Sequence, residues 1–359
     1  MKMPESMNTL IENAAEAFKV LLAEVPLIRL INLKIESPVG ENYADFLVHL
    51  DVQNHPRTLV CEVKPNGQPR NVRSALHQLH NYSQHLGGET LPVLIAPYLS
   101  PESQKLCRES GAGYFDLHGN ARIAFDGIFI ERIVSGKPHA ERRDLKSLFK
   151  PKSAQVLRVL LREPERPRRV AQLADEASVS IGHVSNVRSG LIAREWAQVS
   201  DEGLFLSDPD TLLDAWSAEY EPPVGKRTGF YTTLHGSAFE EAIRHALHVG
   251  PGQGQAVLAS FSAAQWLAPY GRTGSQYFYA DQEGQEKLKD CLRLTIASKG
   301  ENVVVTLPKD KGLFNDTLSP APGVVCTSAV QTYLDLTAAG ERGQEAAEHL
   351  RRERLTWRK

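Results

Sequence analysis

NYADFLVHLDVQNHPRTLVCEVKPNGQPRNVRSALHQLHNY, residues 42–82, is the stretch whose reading decides the fold. Two apolar runs, 44–50 and 58–63, predict β-strands joined by a polar turn at His55-Pro56. Each carries an acid where a core-facing strand favours an apolar residue: Asp45 early in the first, Glu62 late in the second, with Lys64 two residues on. Alternate residues of a strand share a face, so Glu62 and Lys64 project together while Cys61 and Val63 face the other way. Two carboxylates and a lysine at the rim of a sheet can hold a hard divalent cation and orient a water. Mg²⁺ takes one or two carboxylates and fills its shell with waters and phosphate oxygens; in phosphodiester hydrolysis it serves as Lewis acid and template. A helix over residues 72–84 follows, with Gln78 and Tyr82 one turn apart on one face and Arg70 and Arg73 at its start. The plainer reading is an exposed strand-end ion pair, Glu62 with Lys64, and a turn cap at Asp45.

An acid, then Glu-x-Lys, then a helix with Gln-x-x-x-Tyr resembles the PD-(D/E)xK nuclease superfamily in its RecB-like variant. That resemblance implies an α/β sandwich in which Asp45 and Glu62 are metal ligands and Lys64 is the catalytic lysine. Gln78 and Tyr82 would be supporting residues at the site or on DNA, completing a catalytic set of Asp45, Glu62, Lys64, Gln78 and Tyr82. One departure is that the acid follows Ala44 where the family motif has proline. A degenerate fold that binds without cutting stays open beside an active one.

Around this stretch the pattern is consistent with strands and helices in one layered domain. Leu10, Ala14, Phe18 and Leu21 recur at helical spacing over residues 9–25 and predict a helix that covers the sheet. Residues 30–35 predict a first strand, and residues 91–96, nearly all apolar, a strand buried on both faces. Ser100-Pro101-Glu102 opens a helix with a capping serine, a first-turn proline and an acid near the positive end of the dipole. Residues 114–116, 121–125 and 128–133 predict further strands, with turns at His118-Gly119-Asn120 and Asp126-Gly127.

The chain has 359 residues, a hydrophobic fraction of 42%, a charged fraction of 23% and a formal net charge of −2. Two or three domains fit that length, and any nucleic-acid surface must be a local patch. Cys61, Cys107, Cys291 and Cys326 lack paired spacing, which argues against a zinc site or a disulfide framework. No signal peptide and no run of membrane-spanning length is evident, so a cytoplasmic protein without membrane contact is the expectation.

From residue 137 to residue 169 the chain turns basic, with eleven Lys/Arg against four Asp/Glu counted from the sequence. This run enters three predicted helices, 153–161, 170–177 and 181–191, with Ser178 marking a tight connection between the last two. Val156, Leu160, Leu173, Val184, Val187 and Leu191 supply their apolar set, and a hairpin follows over residues 196–206. Three helices and a hairpin resemble a winged helix-turn-helix. That resemblance makes the third helix the recognition helix. Its residues Ser180, His183, Ser185, Asn186, Arg188 and Ser189 would enter a major groove of double-stranded DNA, Asn and Arg being the types that read adenine and guanine edges. Arg166, Arg168 and Arg169 would sit on phosphates and supply salt-dependent affinity. A winged helix used only for protein contacts is the alternative.

Residues 221–225, Glu-Pro-Pro-Val-Gly, read as a linker into an α+β region. Helices are expected over 236–247, around 262–266, from 329 and over 344–354, and strands over 276–280, 292–296 and 303–306. Gly250-Pro251-Gly252-Gln253-Gly254 lacks the lysine and hydroxyl residue of a P-loop and reads as a turn. The fragments SFSAA at 260–264, TSAVQTYLDL at 327–336 and GQEAA at 343–347 resemble the AbiEi-type antitoxin family, transcriptional regulators of abortive-infection toxin–antitoxin systems. The resemblance implies a winged helix that represses its own operon and a C-terminal domain that adds DNA binding and antitoxicity. It also implies a cognate toxin as partner, in one reading a nucleotidyltransferase. The expected organisation is a nuclease-like domain over 1–148, a winged helix over 149–208 and an AbiEi-like α+β domain over 209–359. Two functions compete: a DNA-binding AbiEi-like regulator with a nuclease-fold module, and a Mg-dependent endonuclease targeted by its winged helix. Assembly, a homodimer included, stays open.

Overall fold

The computed structural model describes residues 7–87, 90–125, 127–248, 254–271 and 273–357. It divides into two compact units, residues 1–144 with 192–195, and residues 145–191 with 196–359. The division at 144/145 falls close to the expected 148/149 boundary, and residues 149–208 are not separated from residues 209–359.

The first unit begins with helix α1 (Met7–Ala23) and builds one seven-stranded sheet in chain order: β1 (Ile28–Val39), β2 (Asn42–Val52), β3 (His55–Val63), β4 (Thr90–Ala96), β5 (Gly113–Asp116), β6 (Ala121–Phe125) and β7 (Ile128–Arg132). Helices α2 (Pro69–Leu86) and α3 (Pro101–Glu109) carry the chain from β3 to β4 to β5, so those strands run parallel; the other neighbours are antiparallel. Parallel neighbours need such crossovers. Phe18 and Leu21 of α1 bury against Phe46, Val48, Cys61 and Val63 on one face. On the other face Val72, Ala75 and Leu79 of α2 bury against Leu47, Val60 and Leu94. Covered on both faces, β3 and β4 have apolar neighbours on each side, which makes a buried acid there conspicuous. Ser100 caps α3, its Oγ accepting the Ser103 N–H at 3.2 Å. The His118-Gly119-Asn120 turn is held by Asp116, which accepts the Asn120 N–H at 2.9 Å. Asp126 of the other expected turn lies outside the described residues.

After α4 (His139–Leu148), the second unit holds α5 (Pro151–Arg162), α6 (Val170–Ala177), α7 (Ile181–Ala193) and the hairpin β8 (Ala197–Ser200) and β9 (Gly203–Leu206). The six apolar residues named for these helices are all buried. Ser178, at φ +54, turns the chain left-handed between α6 and α7 and so sets their angle. Residue 168 pairs with the hairpin as a third strand: its N–H donates to Leu204 O and its carbonyl accepts from Leu204 N, both at 2.9 Å. Gly203 makes room, since a Cβ there would stand 2.4 Å from the Arg168 carbonyl.

Helix α8 (Pro209–Ala218) leads to β10 (Gly225–Tyr231), α9 (Gly236–Leu247), β11 (Ala256–Leu258), α10 (Ser260–Leu267), β12 (Gln276–Ala280), α11 (Gln282–Leu292), β13 (Thr295–Ile296) and β14 (Val303–Pro308). A 3₁₀ turn (Lys311–Asn315), β15 (Thr317–Ala321), β16 (Val324–Thr327), α12 (Ala329–Thr337) and α13 (Glu341–Arg354) follow. The sheet order is β13-β10-β14-β12-β11-β16-β15. Gly225, expected to end a linker, opens β10 and pairs with Pro308. Leu292, expected to start a strand, instead ends α11, a helix that the spacing did not reveal. Residues 250–253 of the glycine-rich run lie outside the described residues. Helix α5 is bound to the C-terminal elements by polar contacts. Arg158 Nη1 donates to Gln331 Oε1 at 3.0 Å, Gln155 Nε2 donates to Asp310 Oδ1 at 3.3 Å, and Arg162 pairs with Asp316. Among the described residues no helix is long and apolar enough to cross a membrane.

Candidate functional site

The sheet register brings the two acids together. Phe46 pairs with Cys61 and Leu47 with Val60; carried on by one residue, the same register sets Asp45 opposite Glu62 on the face under α2. Directly opposed side chains of an antiparallel pair start about 4.5–5.5 Å apart at Cβ. Asp45 Oδ2 accepts the Val63 N–H at 2.6 Å. Glu62 Oε1 accepts from Lys64 Nζ at 2.7 Å, and the same ammonium reaches Gln78 Oε1 at 3.5 Å. Gln78 Nε2 donates to Tyr82 Oη at 2.5 Å, and Tyr82 donates to the Tyr43 carbonyl at 2.7 Å. The structure therefore brings all five residues of the expected set into one neighbourhood, four of them in a continuous hydrogen-bonded chain. The strand-end ion pair of the plainer reading does form, but the Glu62 side chain is only 5% exposed. Its Oε2 is buried with no hydrogen-bond partner among the described residues.

Burial sets the electrostatics. It pushes the Glu62 carboxyl up, against the Lys64 hydrogen bond and with the Asp45 charge. Burial likewise pushes Asp45 up, against the Val63 N–H and Lys64 and with the Glu36 charge. Two crowded carboxylates with one unanswered oxygen are the chemistry a hard cation relieves. Among the described residues no cluster of three or more His, Cys, Asp or Glu could hold a metal. Two carboxylates are too few for a fully protein-ligated ion such as structural zinc. Glu36 went unremarked in the sequence. The pairs Ile35–Phe46 and Ser37–Ala44 bracket it opposite Asp45, and only strand register, not local spacing, could have pointed to it. Glu16, on α1, lies on the helix that covers the opposite face and pairs with Lys19 at 3.0 Å. Arg70 is exposed at the start of α2, while Arg73 donates from Nε to both Glu195 oxygens at 2.9 Å.

In the second unit the expected DNA-binding residues sort into two groups. Ser180 caps α7, its Oγ accepting the His183 N–H at 3.3 Å. Ser180 and Asn186 are exposed, and Arg188 is half-buried at the edge of the same face. Ser185 and Ser189 are exposed and bond back to carbonyls one turn earlier. His183 is a correction: its Nε2 shares a hydrogen bond with Ser153 Oγ of α5 at 3.1 Å, which turns the ring inward. Arg168 is a second. It is 1% exposed and bridges Glu163 at 2.8 Å and Glu176 at 3.0 Å. The residue is drawn inside because its backbone is the hairpin's third strand, so it cannot rest on phosphates. Arg166 is exposed but paired with Glu163 at 2.9 Å; Arg169 is exposed. The hairpin tip carries Asp201 and Glu202, which disfavour close approach to phosphate.

Comparison with known proteins adds the following. No curated protein matches the chain. Among solved structures, similarity is found to a repair endonuclease from Pyrococcus abyssi: 18% identity, 33% of this chain and 49% of that one, TM-score 0.25. EndoMS in complex with double-stranded DNA gives 18% identity over 29% of this chain and 43% of that one, TM-score 0.22. EndoMS in apo form gives 16% over 29% and 45%, TM-score 0.22. The chain thus spans less than half the length of these structures. Residues 205–356 match the AbiEi_2 family, described as transcriptional regulator, AbiEi antitoxin of type IV toxin–antitoxin systems. The AbiEi resemblance carried by the fragments at 260–264, 327–336 and 343–347 is thereby borne out: this part of the chain is similar to the AbiEi antitoxin regulators.

Proposed function

We propose that this chain is a double-stranded-DNA-binding regulator of the AbiEi-like kind, with α7 as its reading element. The observation that carries the reading is the exposed face of Ser180, Ser185, Asn186 and Ser189, presented after the left-handed turn at Ser178. The family match over residues 205–356 supports it. Three short helices and a hairpin resemble a winged helix, whose third helix enters a major groove. Arg169, Lys150 and Lys152, all exposed, supply the phosphate contacts. By the same likeness a toxin protein is the partner, and the site of action is the operator of the chain's own operon. Binding of the purified chain to its upstream DNA, compared with shuffled DNA by fluorescence anisotropy, tests this. Equal affinity for both sequences at physiological salt would overturn it.

A second reading, a Mg-dependent endonuclease, is favoured by one specific observation. The Lys64–Gln78–Tyr82 chain ends on a Glu62 carboxylate whose second oxygen is buried and unanswered. Asp45 and Glu62 would hold Mg²⁺, which when bound supplies Lewis acidity toward a phosphate oxygen and lowers the pKa of water. Lys64, as an ammonium within hydrogen-bond reach of Glu62, would donate to and orient the attacking water. Gln78 holds the Lys64 ammonium in place, and Tyr82 locks Gln78 to the Tyr43 carbonyl. Leu79 and Tyr82 of α2, both buried, pack on the same face of the sheet as the acids. Incubating supercoiled and linear DNA with Mg²⁺ or Mn²⁺, beside Lys64→Ala, decides the matter. Cutting lost in the variant supports the endonuclease; tight binding without cutting under either metal leaves the first unit as a clamp.

A further inference from the structure

We infer that Ile181 is a base-reading residue of α7 that takes the 5-methyl group of a thymine, and that Gly182 beside it lets the helix come close enough to do so. The inference rests on the DNA-binding reading above and names the base that the first turn of α7 recognises. Ile181 is 58% exposed, although the inner side of α7 is complete without it: Val184, Val187 and Leu191 are all buried. One and two turns on, Ser185 and Ser189 are exposed on the same face as Ile181. Ser185 Oγ donates to the Ile181 carbonyl and Ser189 Oγ to the Ser185 carbonyl, each at 3.0 Å, which folds both hydroxyls back onto the helix.

Gly182 has no explanation inside the molecule. It is helical and not left-handed, and a Cβ there would meet nothing within 4 Å beyond its own helix. Glycine is the poorest helix former after proline, so what remains is close approach of the backbone by a ligand from outside. Gly182, Ser185, Asn186 and Ser189 fall at i, i+3, i+4 and i+7, so the missing side chain heads the exposed stripe. In a major groove the first residues of a recognition helix meet base edges, and thymine is the one base that presents a methyl group there. A protein partner would call for a wider apolar patch. The surface neighbours of Ile181 are instead Gly182, Ser185 and Arg188, and serine is depleted at protein interfaces. The charges nearby favour a base edge over a phosphate. Lys152, Ser180 and His183 line a concavity beside this turn together with the acid Asp175, while Glu176 is held by Arg168 at 3.0 Å and by Gln172 at 2.8 Å.

The test uses the full chain and its own upstream DNA, amplified with dTTP or with dUTP, which removes the thymine methyl and keeps the base pairing. Anisotropy compares the wild type with Ile181→Ala and Gly182→Ala. Replacing thymine by uracil should weaken the wild type about fourfold more than it weakens Ile181→Ala, the worth of one buried methyl. Effects of uracil on duplex shape or at other contacts fall on both proteins and cancel in that comparison. Gly182→Ala should melt at a higher temperature, alanine being the better helix former. It should nonetheless bind thymine DNA about fivefold more weakly, the low end of what an extra methyl costs in a packed contact. A merely structural glycine would not move stability and affinity in opposite directions. Both positions are exposed, so the variants keep the fold. Equal sensitivity to uracil in wild type and Ile181→Ala, or wild-type affinity in Gly182→Ala, would overturn the inference. If the wild type still prefers upstream over shuffled DNA, that result sinks the inference alone; with no such preference the regulator reading falls as well.

Discussion

Glu62 concentrates the chemistry of the first unit because it is buried, paired on one oxygen and unanswered on the other. Glu62→Gln keeps shape and the acceptor for Lys64 but removes the charge that would attract a divalent ion. On the endonuclease reading, Mg²⁺ should raise the melting temperature of the wild type and not of the variant, and cleavage should fall to background while DNA affinity is unchanged. Equal stabilisation of both proteins by Mg²⁺ would remove Glu62 from the ligand set. Asp335 poses a different residue-scale question. Its Oδ1 accepts from Tyr220 at 2.5 Å and from Tyr279 and Gln331 at 3.0 Å, while Oδ2 has no partner among the described residues. Burial, offset by those three donors and by Arg158, lifts its pKa from 3.8 to about 6. A folded pKa above the unfolded one means that the protonated carboxyl stabilises the fold. That contribution is whole below pH ~4 and is lost as pH rises through about 6, and at roughly 1.4 kcal/mol per pH unit it amounts to about 3 kcal/mol. Asp335→Asn mimics the protonated form, so its stability relative to wild type should increase between pH 4 and 7. A constant difference in urea midpoints across that range would refute this.

At the scale of elements, α5 and the segment leading into α6 show what a basic run can and cannot tell. Residues 137–169 look uniformly cationic, yet Arg158, Arg162 and Arg168 are committed to Gln331, Asp316, Glu163 and Glu176 inside the unit. Arg169→Ala should therefore weaken binding to all DNA sequences alike and lower the salt slope by about one. Arg168→Ala should act on folding instead, because it removes the buried guanidinium that ties Glu163 to Glu176. Anisotropy against salt and urea unfolding separate the two; a uniform loss of affinity in folded Arg168→Ala would restore the residue to the DNA surface. Periodicity made α1, α2, α9 and the β2–β3 pair legible, since one covered face leaves a strict apolar stripe. Burial inside a mixed environment hid the rest. Helix α11 reads as a polar stretch because only Leu288 and Leu292 supply its fully buried apolar anchors, and β10 hides behind a Pro-Pro-Val-Gly turn signal. Asp45, Glu62, Lys64, Gln78 and Tyr82 were legible because three strand positions and one helical turn fix their relation. Arg168 was not, since its inward course depends on pairing with Leu204 in a hairpin more than thirty residues away.

On the scale of the whole molecule, each unit carries its own core: Phe18, Phe46, Leu79 and Leu94 belong to the first, Phe230, Leu258, Phe278 and Leu288 to the second. Substitutions in separate cores, sharing no side-chain partner, act independently. The two proposed tasks, reading DNA and acting on it, should then be separable in a single chain whose net charge of −2 forces each to use a local surface. Lys64→Ala removes the ammonium between Glu62 and Gln78 and should leave both affinity and base preference at wild-type values. Asn186→Ala with Arg188→Ala should cost about 1–3 kcal/mol per lost base contact and flatten the preference between specific and shuffled DNA. It should leave any Mg-dependent cutting of long non-specific DNA intact. Combining the three substitutions should give the sum of the effects, within about 0.5 kcal/mol in binding free energy. A Lys64→Ala protein that loses base preference, or an α7 variant that loses metal-dependent cutting of non-specific DNA, would mean that recognition and chemistry are one coupled site rather than two.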